Sequence, residues 1–344
     1  MADTLGMATQ LAGNAVRFGW YSGVCWLLGR EARRFGGRPR YSPTRPVPSD
    51  AELMADLRAL FVRDAAAVRE GLYAPAEPVG TIAEHMRQLR AMFADLPQTM
   101  KRREANDAQS ATTLPGADEL PDYYTQDFHF QTGGYLSADS AQLYDVQVET
   151  LFYGAAGAMR RAALRPIADF MRGRDQRETT LLDVACGTGR FLREVRLTYP
   201  ALLAKGLDLS QSYLDEAQRH TGDLRPIEFI KGNAEQIPLA DESVDIVTSI
   251  FLYHELPGEV RQRVTAEIAR ILKPGGLFVF LDSLQMGDRP GWDGLLEAFP
   301  VRFHEPYFEH YATDDLDGMF THAGLAPQEA SNAFLSKVMA RRKH

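Results

Sequence analysis

Leu181-Leu-Asp-Val-Ala-Cys-Gly-Thr-Gly-Arg190 decides how this chain is read. An apolar run ends in an acid, meets a turn with two glycines, and passes into an amphipathic stretch. That pattern is a strand, a glycine loop and a helix, the opening of a nucleotide-type βαβ unit. Gly187 and Gly189 let the backbone approach a ligand and reach φ/ψ values that other residues avoid. The helix N-terminus behind them favours a negative group such as a carboxylate. Asp183 at the strand end suits a cationic amine, directly or through water. A dinucleotide fingerprint would place Gly or Ala where Leu192 stands. No Gly-Lys-Ser/Thr accompanies the loop, so it is not a phosphate-cradling P-loop.

Four further segments follow in order. Ala204-Lys-Gly-Leu-Asp-Leu-Ser210 reads as a second strand ending in Asp208, 19 residues beyond Gly189, where a carboxylate can accept both hydroxyls of a ribose. Ile227-Glu-Phe-Ile-Lys-Gly-Asn-Ala234 reads as a third strand. Ile237-Pro-Leu-Ala-Asp-Glu-Ser-Val-Asp-Ile-Val-Thr-Ser249 leads into a fourth, and Leu272-Lys-Pro-Gly-Gly-Leu-Phe-Val-Phe280 into a fifth. Together these segments resemble the class I S-adenosylmethionine (SAM) methyltransferases.

The resemblance covers roughly residues 180 to 340. It implies an α/β fold, a Rossmann-like seven-stranded, mostly parallel sheet whose last strand is antiparallel. SAM is the implied cofactor, surrounded by Asp183, Ala185, Gly187, Gly189, Asp208, Leu209, Asn233, Ala234 and Ile250. Asp208 would hold the ribose and Asn233 the adenine. The family usually carries Asp-Ala where Asn233-Ala234 stand, but an Asn carbonyl accepts the same hydrogen bond. Asp245 is usually structural in this pattern.

Composition sets the outer bounds. The chain has 344 residues, 45% hydrophobic and 24% charged, as in ordinary globular proteins. Cys25 and Cys186 are its two cysteines, too few for a disulfide framework or a thiolate metal site. Cys186 is read as a small packing residue and the compartment as reducing cytoplasm. Net charge is −8, but residues 1–46 carry Arg17, Arg30, Arg33, Arg34, Arg38, Arg40 and Arg45 against Asp3 and Glu31, a net +5. The acidic remainder argues against a nucleic-acid partner.

Residues 1–125 are expected to form a mainly helical accessory or lid domain, and residues 126–344 the SAM-binding domain. Leu11, Val16, Phe18, Trp20, Tyr21, Val24, Trp26, Leu27 and Leu28 mark an apolar first helix interrupted by Gln10, Asn14 and Arg17. It is too broken for a membrane span and fits a signal peptide poorly. Residues 1–46 admit two readings: a peripheral contact at the inner face of a membrane, or packing on the body. The four-proline segment 38–49 is a linker. Ser49 and Glu52 form a capping box for a helix to about Glu70. A second helix is expected over 81–95, ending before Pro97, with a mobile connection over 101–120. Another begins near Ser137 and passes Tyr144 and Tyr153. Thr313 is expected to cap a helix to about Ala323, before closing strands over 324–330 and 332–341.

The chemistry is expected beyond the carboxyl ends of the strands. His254, in the segment after the fourth strand, is a candidate proton acceptor, with Glu255 behind it. His304 and Glu305 are a second pair, and burial would raise a Glu305 carboxyl into a useful range. Tyr135, Tyr144, Phe251, Tyr307 and Tyr311 are candidate substrate contacts, with Gln131 a further lid residue. Each of these is equally readable as a packing residue. Along the chain no His/Asp cluster has ligand spacing, so no metal is expected.

Absences narrow the acceptor. After the fourth strand there is no Asn/Asp-Pro-Pro-Tyr/Phe, no Pro-Cys nucleophile, and no paired-glutamate loop. What remains is a small and hydrophobic acceptor, lipid, quinone-like or polyketide-like. A SAM-binding scaffold without turnover and a macromolecular methylase stay open as alternatives, as does the oligomeric state.

Overall fold

The computed structural model describes residues 3–35, 41–78 and 80–344. Arg38, Arg40 and the first residues of the expected linker lie outside the described residues. The chain opens with α1 (Thr4–Ala32), α2 (Asp50–Arg69), α3 (Ile82–Ala105), α4 (Ala138–Leu151), α5 (Ala156–Arg161) and α6 (Leu164–Met171). Strands and helices then alternate: β1 (Thr180–Val184), α7 (Arg190–Thr198), β2 (Leu203–Asp208), α8 (Gln211–Thr221), β3 (Glu228–Lys231) and β4 (Val244–Ile250). After α9 (Gly258–Ile271) and β5 (Leu272–Ser283) come α10 (Asp293–Arg302), α11 (Phe308–Thr313), α12 (Leu316–His322), β6 (Leu325–Ala333) and β7 (Ser336–Lys343).

The sheet has seven strands in the order β3-β2-β1-β4-β5-β7-β6. β1 to β5 run parallel, and β7 pairs antiparallel with both β5 and β6. The strand order reverses between β1 and β4, which opens a crevice at their carboxyl ends. Both strands leave the sheet through a non-glycine residue in the left-handed region, Ala185 (φ 56°) and Phe251 (φ 59°). Such strain persists only where surrounding structure enforces it, and it gathers at binding sites.

The capping boxes at Ser49/Glu52 and Thr81/Glu84 are both formed. Pro97 does not end α3 as expected; the helix continues to Ala105, where Asn106 closes it in the left-handed conformation. The segment after it is a series of short 3-10 turns at 110–113, 117–119 and 128–130. α4 ends at Leu151, short of Tyr153. The helix expected from Thr313 is α12, capped by Asp315 rather than Thr313, which is instead the last residue of α11. Among the described residues, no helix is long and apolar enough to cross a membrane.

The polar interruptions of α1 turn inward. Gln10 Nε2 and Asn14 Nδ2 donate to Asp64 Oδ2 on α2 at 2.6 and 2.8 Å. Arg161 on α5 closes on the same carboxylate with two bonds of 2.8 and 2.9 Å, while its other nitrogen reaches Glu194 on α7. Arg17 pairs with Glu149 on α4 at 2.6 Å. Tyr21 and Val24 of α1 are buried beside these groups, while Leu5, Val16, Trp20, Trp26 and Leu27 are exposed. Leu57, Leu60 and Phe61 of α2 enter the same apolar core as Leu182, Val247 and Phe280 of the sheet.

Candidate functional site

At the crevice the first turn shapes a cavity of about 800 Å³. Its floor and rim include Ala185, Gly187, Asp208, Leu209, Asn233 and Ala234. Gly187 (φ +53°) has open space where a Cβ would stand, so the backbone there is bare toward the cavity. Gly189 has another reason: a Cβ there would lie 2.9 Å from Ala217 Cβ, so it permits α7 to pack against α8. Asp208 sits at the end of β2, and its carboxylate accepts from Gly187 N at 2.8 Å and Ser210 N at 2.9 Å. Burial raises its pKa to about 6, with those backbone bonds opposing. Asn233 Oδ1 accepts from Glu235 N at 2.9 Å, an Asx turn that fixes the amide and leaves one lone pair. Ile250 and Phe251 close the side next to β4.

Asp183 is placed differently from its expected role at the cofactor. It is buried at 1% exposure, takes a 2.6 Å bond from Thr248 Oγ1 and lies outside the cavity lining. Burial pushes its pKa up to about 7. Asp245 ties β4 to its neighbours by accepting from Thr180 N and Lys273 Nζ, each at 2.9 Å. Cys186 is buried, and its Sγ lies against Gly206, in keeping with a packing role.

The segment preceding α4 roofs the cavity with aromatic rings. Phe128 stacks on Tyr135 at 5.4 Å between centroids, and Tyr135, Tyr144 and Tyr213 meet edge to face. Such packing gives rigid apolar walls with polar tips. Gln131 pins this roof: its Nε2 donates to Ser140 O at 3.1 Å, so it is a strut rather than a lid contact.

A second cavity of about 800 Å³ adjoins the first, and Tyr144, Phe251 and Glu255 line both. Its wall is largely apolar, with Val148, Leu151, Phe152, Leu295, Phe299 and Phe308. One polar edge remains, made by His129, His254 and Glu255.

That edge gathers groups from three separate segments. Asp282 of β5 accepts from Tyr253 N at 2.7 Å and holds His254 Nδ1 at 2.5 Å. Burial would lower the His254 pKa, but Asp282 and Glu255 raise it to about 10. Its Nδ1 is engaged by Asp282, so Nε2, 3.8 Å from Glu255, is the nitrogen left for the expected proton-acceptor role. Glu255 takes a 2.5 Å bond from Tyr135 Oη and lies 3.8 Å from His254 Nε2. Glu305 is 3% exposed, and its nearest charged neighbour is His129 Nε2 at 2.9 Å. His129 holds a left-handed backbone (φ 56°), with its N–H on His304 O at 3.2 Å.

Of the expected catalytic and substrate residues, Glu305, His304, Tyr307 and Tyr311 line neither cavity, and the last three are bonded elsewhere. His304 bonds Gln126 Oε1 at 2.9 Å through its Nε2, and burial lowers its pKa. Tyr307 Oη accepts from Gln126 Nε2 at 2.9 Å. Tyr311 is fully buried, and its hydroxyl donates to Ser283 O at 2.5 Å. All three anchor the 299–311 segment, a consequence of placing aromatics with polar tips between helices. His129 was missed because its ring joins Glu305 only through the chain fold; the aromatic density of 123–136 was the one visible signal.

Comparison with known proteins bears on the same region. Residues 182–280 match the family model described as a methyltransferase domain. A ubiquinone/menaquinone biosynthesis C-methyltransferase from Methylobacterium nodulans is 33% identical over 165 residues, 47% of this chain and 63% of its own. A phthiotriol/phenolphthiotriol dimycocerosates methyltransferase from Mycobacterium tuberculosis is 33% identical over 123 residues, 36% of this chain and 44% of its own. The chain thus spans less than two thirds of either relative's length. The crystal structure of a SAM-dependent methyltransferase from Aquifex aeolicus superposes with a TM-score of 0.39 at 19% identity, over 54% of this chain and 93% of its own.

Proposed function

We propose that this chain is a class I SAM-dependent methyltransferase that transfers the methyl group of SAM to a small apolar acceptor. The observation that carries this reading is the junction of two cavities across Tyr144, Phe251 and Glu255. One cavity has the donor set of a nucleoside site; the other is an apolar slot suited to a quinone-, lipid- or polyketide-like molecule.

The first cavity fits SAM. Gly187 leaves bare backbone against it, Asp208 offers carboxylate lone pairs at a ribose-binding position, and Asn233-Ala234 stand where the adenine is expected. Bound SAM supplies a methyl already activated by its sulfonium. The chain's own work is then orientation and exclusion of water. Tyr124, Tyr135, Tyr144 and Tyr213 keep neutral hydroxyls, since burial raises all four, and their rings offer π faces favourable to a cation. Phe251, held in its strained conformation, separates the two cavities. In this reading residues 1–125 are the accessory part, whose Tyr123 and Tyr124 help close the cofactor cavity over the 126–344 domain.

The acceptor class is supported by the apolar slot and by the relatives, whose names place their acceptors among quinones and dimycocerosates. The outward face of α1 supports a route for such acceptors. Val16, Trp20, Trp26 and Leu27 are exposed there, and Arg30, Arg33 and Arg34 follow. That pairing of apolar and basic groups fits the surface of an anionic bilayer.

Transfer of labelled methyl from SAM to a cell extract, followed by organic–aqueous partition, tests the reading. Label in the organic phase is expected, and at subsaturating SAM it should fall about 10-fold or more with Asp208→Asn. Label confined to protein or RNA would replace this reading with a macromolecular methylase. A scaffold would transfer none.

A further inference from the structure

Beyond methyl transfer, we propose that His129, Glu255 and Glu305 bind a first-row divalent cation, of the Mn²⁺ or Zn²⁺ type, at the polar edge of the acceptor slot. One ligand atom from each residue lies within 4.8 Å of the others, as a single ion requires. The donor set is one imidazole nitrogen and two carboxylates, which suits borderline ions better than Ca²⁺ or a thiophilic metal.

The arrangement has a second mark of a ligand site. Glu305 has a side chain with no solvent exposure, and neither carboxylate oxygen accepts a hydrogen bond. A buried carboxylate without such partners is costly, and a cation beside it supplies what is missing. Among the described residues, the one side chain paired with this carboxylate is His129, with Nε2 2.9 Å from Glu305 Oε1, and an imidazole is a metal ligand in its neutral form.

The surroundings support the three ligands as a shell. Tyr135 Oη donates to Glu255 Oε1, and the Asp282–His254 pair backs the same carboxylate from the other side. Outer partners of this kind orient metal ligands. The His129 backbone is held by His304 O, and its ring meets Phe299 and Phe303 edge on. His129 and Glu255 both line the apolar slot, so the open coordination positions face the acceptor. Three protein ligands with an open side is the pattern of a reactive rather than a purely structural ion. If the methyl-transfer reading holds, an acceptor oxygen entering the slot would be the next ligand, and the cation would acidify it.

The test uses chelator-stripped full-length protein and needs no acceptor. Isothermal titration with MnCl₂ and with ZnCl₂ should give saturable binding of one ion per chain for at least one of the two. Glu305→Gln and His129→Ala should each weaken it roughly 100-fold or more, while affinity for S-adenosylhomocysteine stays unchanged and shows the variants folded. Should either variant fail to fold, pulsed paramagnetic resonance of Mn²⁺ on the wild type should show coupling to one imidazole nitrogen. No saturable binding, equal binding in the variants, or no nitrogen coupling would overturn the site. Failure of methyl transfer with binding intact would overturn only the enzymatic reading.

Discussion

Asp208→Asn should lessen the fall in stability as pH rises and weaken cofactor binding. The carboxyl is buried, and its pKa is raised from 3.8 to about 6. At pH 7 the folded chain must ionise a group that the unfolded chain ionises more easily. A shift of about 2 units corresponds to about 3 kcal/mol. The sign follows from proton counts: between the two pKa values the folded state binds more protons, so stability falls as pH rises from about 4 to 6. Asparagine removes that cost, but its Nδ2 then faces one of the two backbone N–H groups, of Gly187 or Ser210, that the carboxylate accepts, which costs about 1–3 kcal/mol. The variant should therefore lie within about 2 kcal/mol of the wild type at pH 7.5 and about 1–3 kcal/mol below it at pH 4, a pH-dependent difference of about 3 kcal/mol, worth roughly 5 °C in Tm for a chain of this size. Its ribose partner would be lost, and S-adenosylhomocysteine should bind about 10- to 100-fold more weakly, the worth of hydrogen bonds to a charged group. Wild-type affinity should likewise fall as pH drops below about 6, as Asp208 protonates. Scanning calorimetry at both pH values and ligand titration read out the two effects. A variant equally destabilised at both pH values, with unchanged ligand affinity, would refute both the buried charge and its role at the cofactor.

Asp64→Ala should cost about 3–5 kcal/mol in urea unfolding, because it leaves Arg161, at 4% side-chain exposure, with Glu194 alone and strips Gln10 and Asn14 of their acceptor. Loss of less than about 1 kcal/mol would show that water reaches Arg161. Val148→Trp should fill the apolar slot, raising acceptor KM at least about 10-fold while leaving S-adenosylhomocysteine affinity within about 2-fold; equal effects on both ligands would show that the slot is not the acceptor site. Val16→Glu with Trp26→Glu should abolish co-sedimentation with vesicles containing anionic lipid and leave Tm nearly unchanged, since both side chains are exposed. Sedimentation unchanged by the pair would assign the outward face of α1 to something other than a bilayer.

Local pattern carries far in this chain. A strand, two glycines and an amphipathic helix specify one arrangement of backbone, and Asp208 falls at the last residue of β2 and Asn233 two residues past β3, where the apolar runs stop. The seven-stranded sheet and the cavity at its switch point follow from that alternation. Ser49 and Thr81 cap their helices through bonds only three residues long, which is why such boundaries are legible in sequence.

What tertiary structure decided are contacts between residues far apart in the chain. Gln10 and Asn14 looked like flaws in an apolar helix; folded, they are the inward face, bonded to an aspartate 54 and 50 residues away. Periodicity reports which face differs, not which face is buried. Asp183 was read toward the ligand, yet a side chain's direction at a strand end depends on its neighbour, and Thr248 of β4 draws it inward. His254 was read from its place after β4, and only the fold shows that Asp282 of β5 holds its Nδ1. His129, Glu255 and Glu305 lie 126 and 50 residues apart in sequence and come within 4.8 Å. Ligand spacing along a chain detects only local sets, because nothing in a linear pattern records which loops the sheet brings to the same edge.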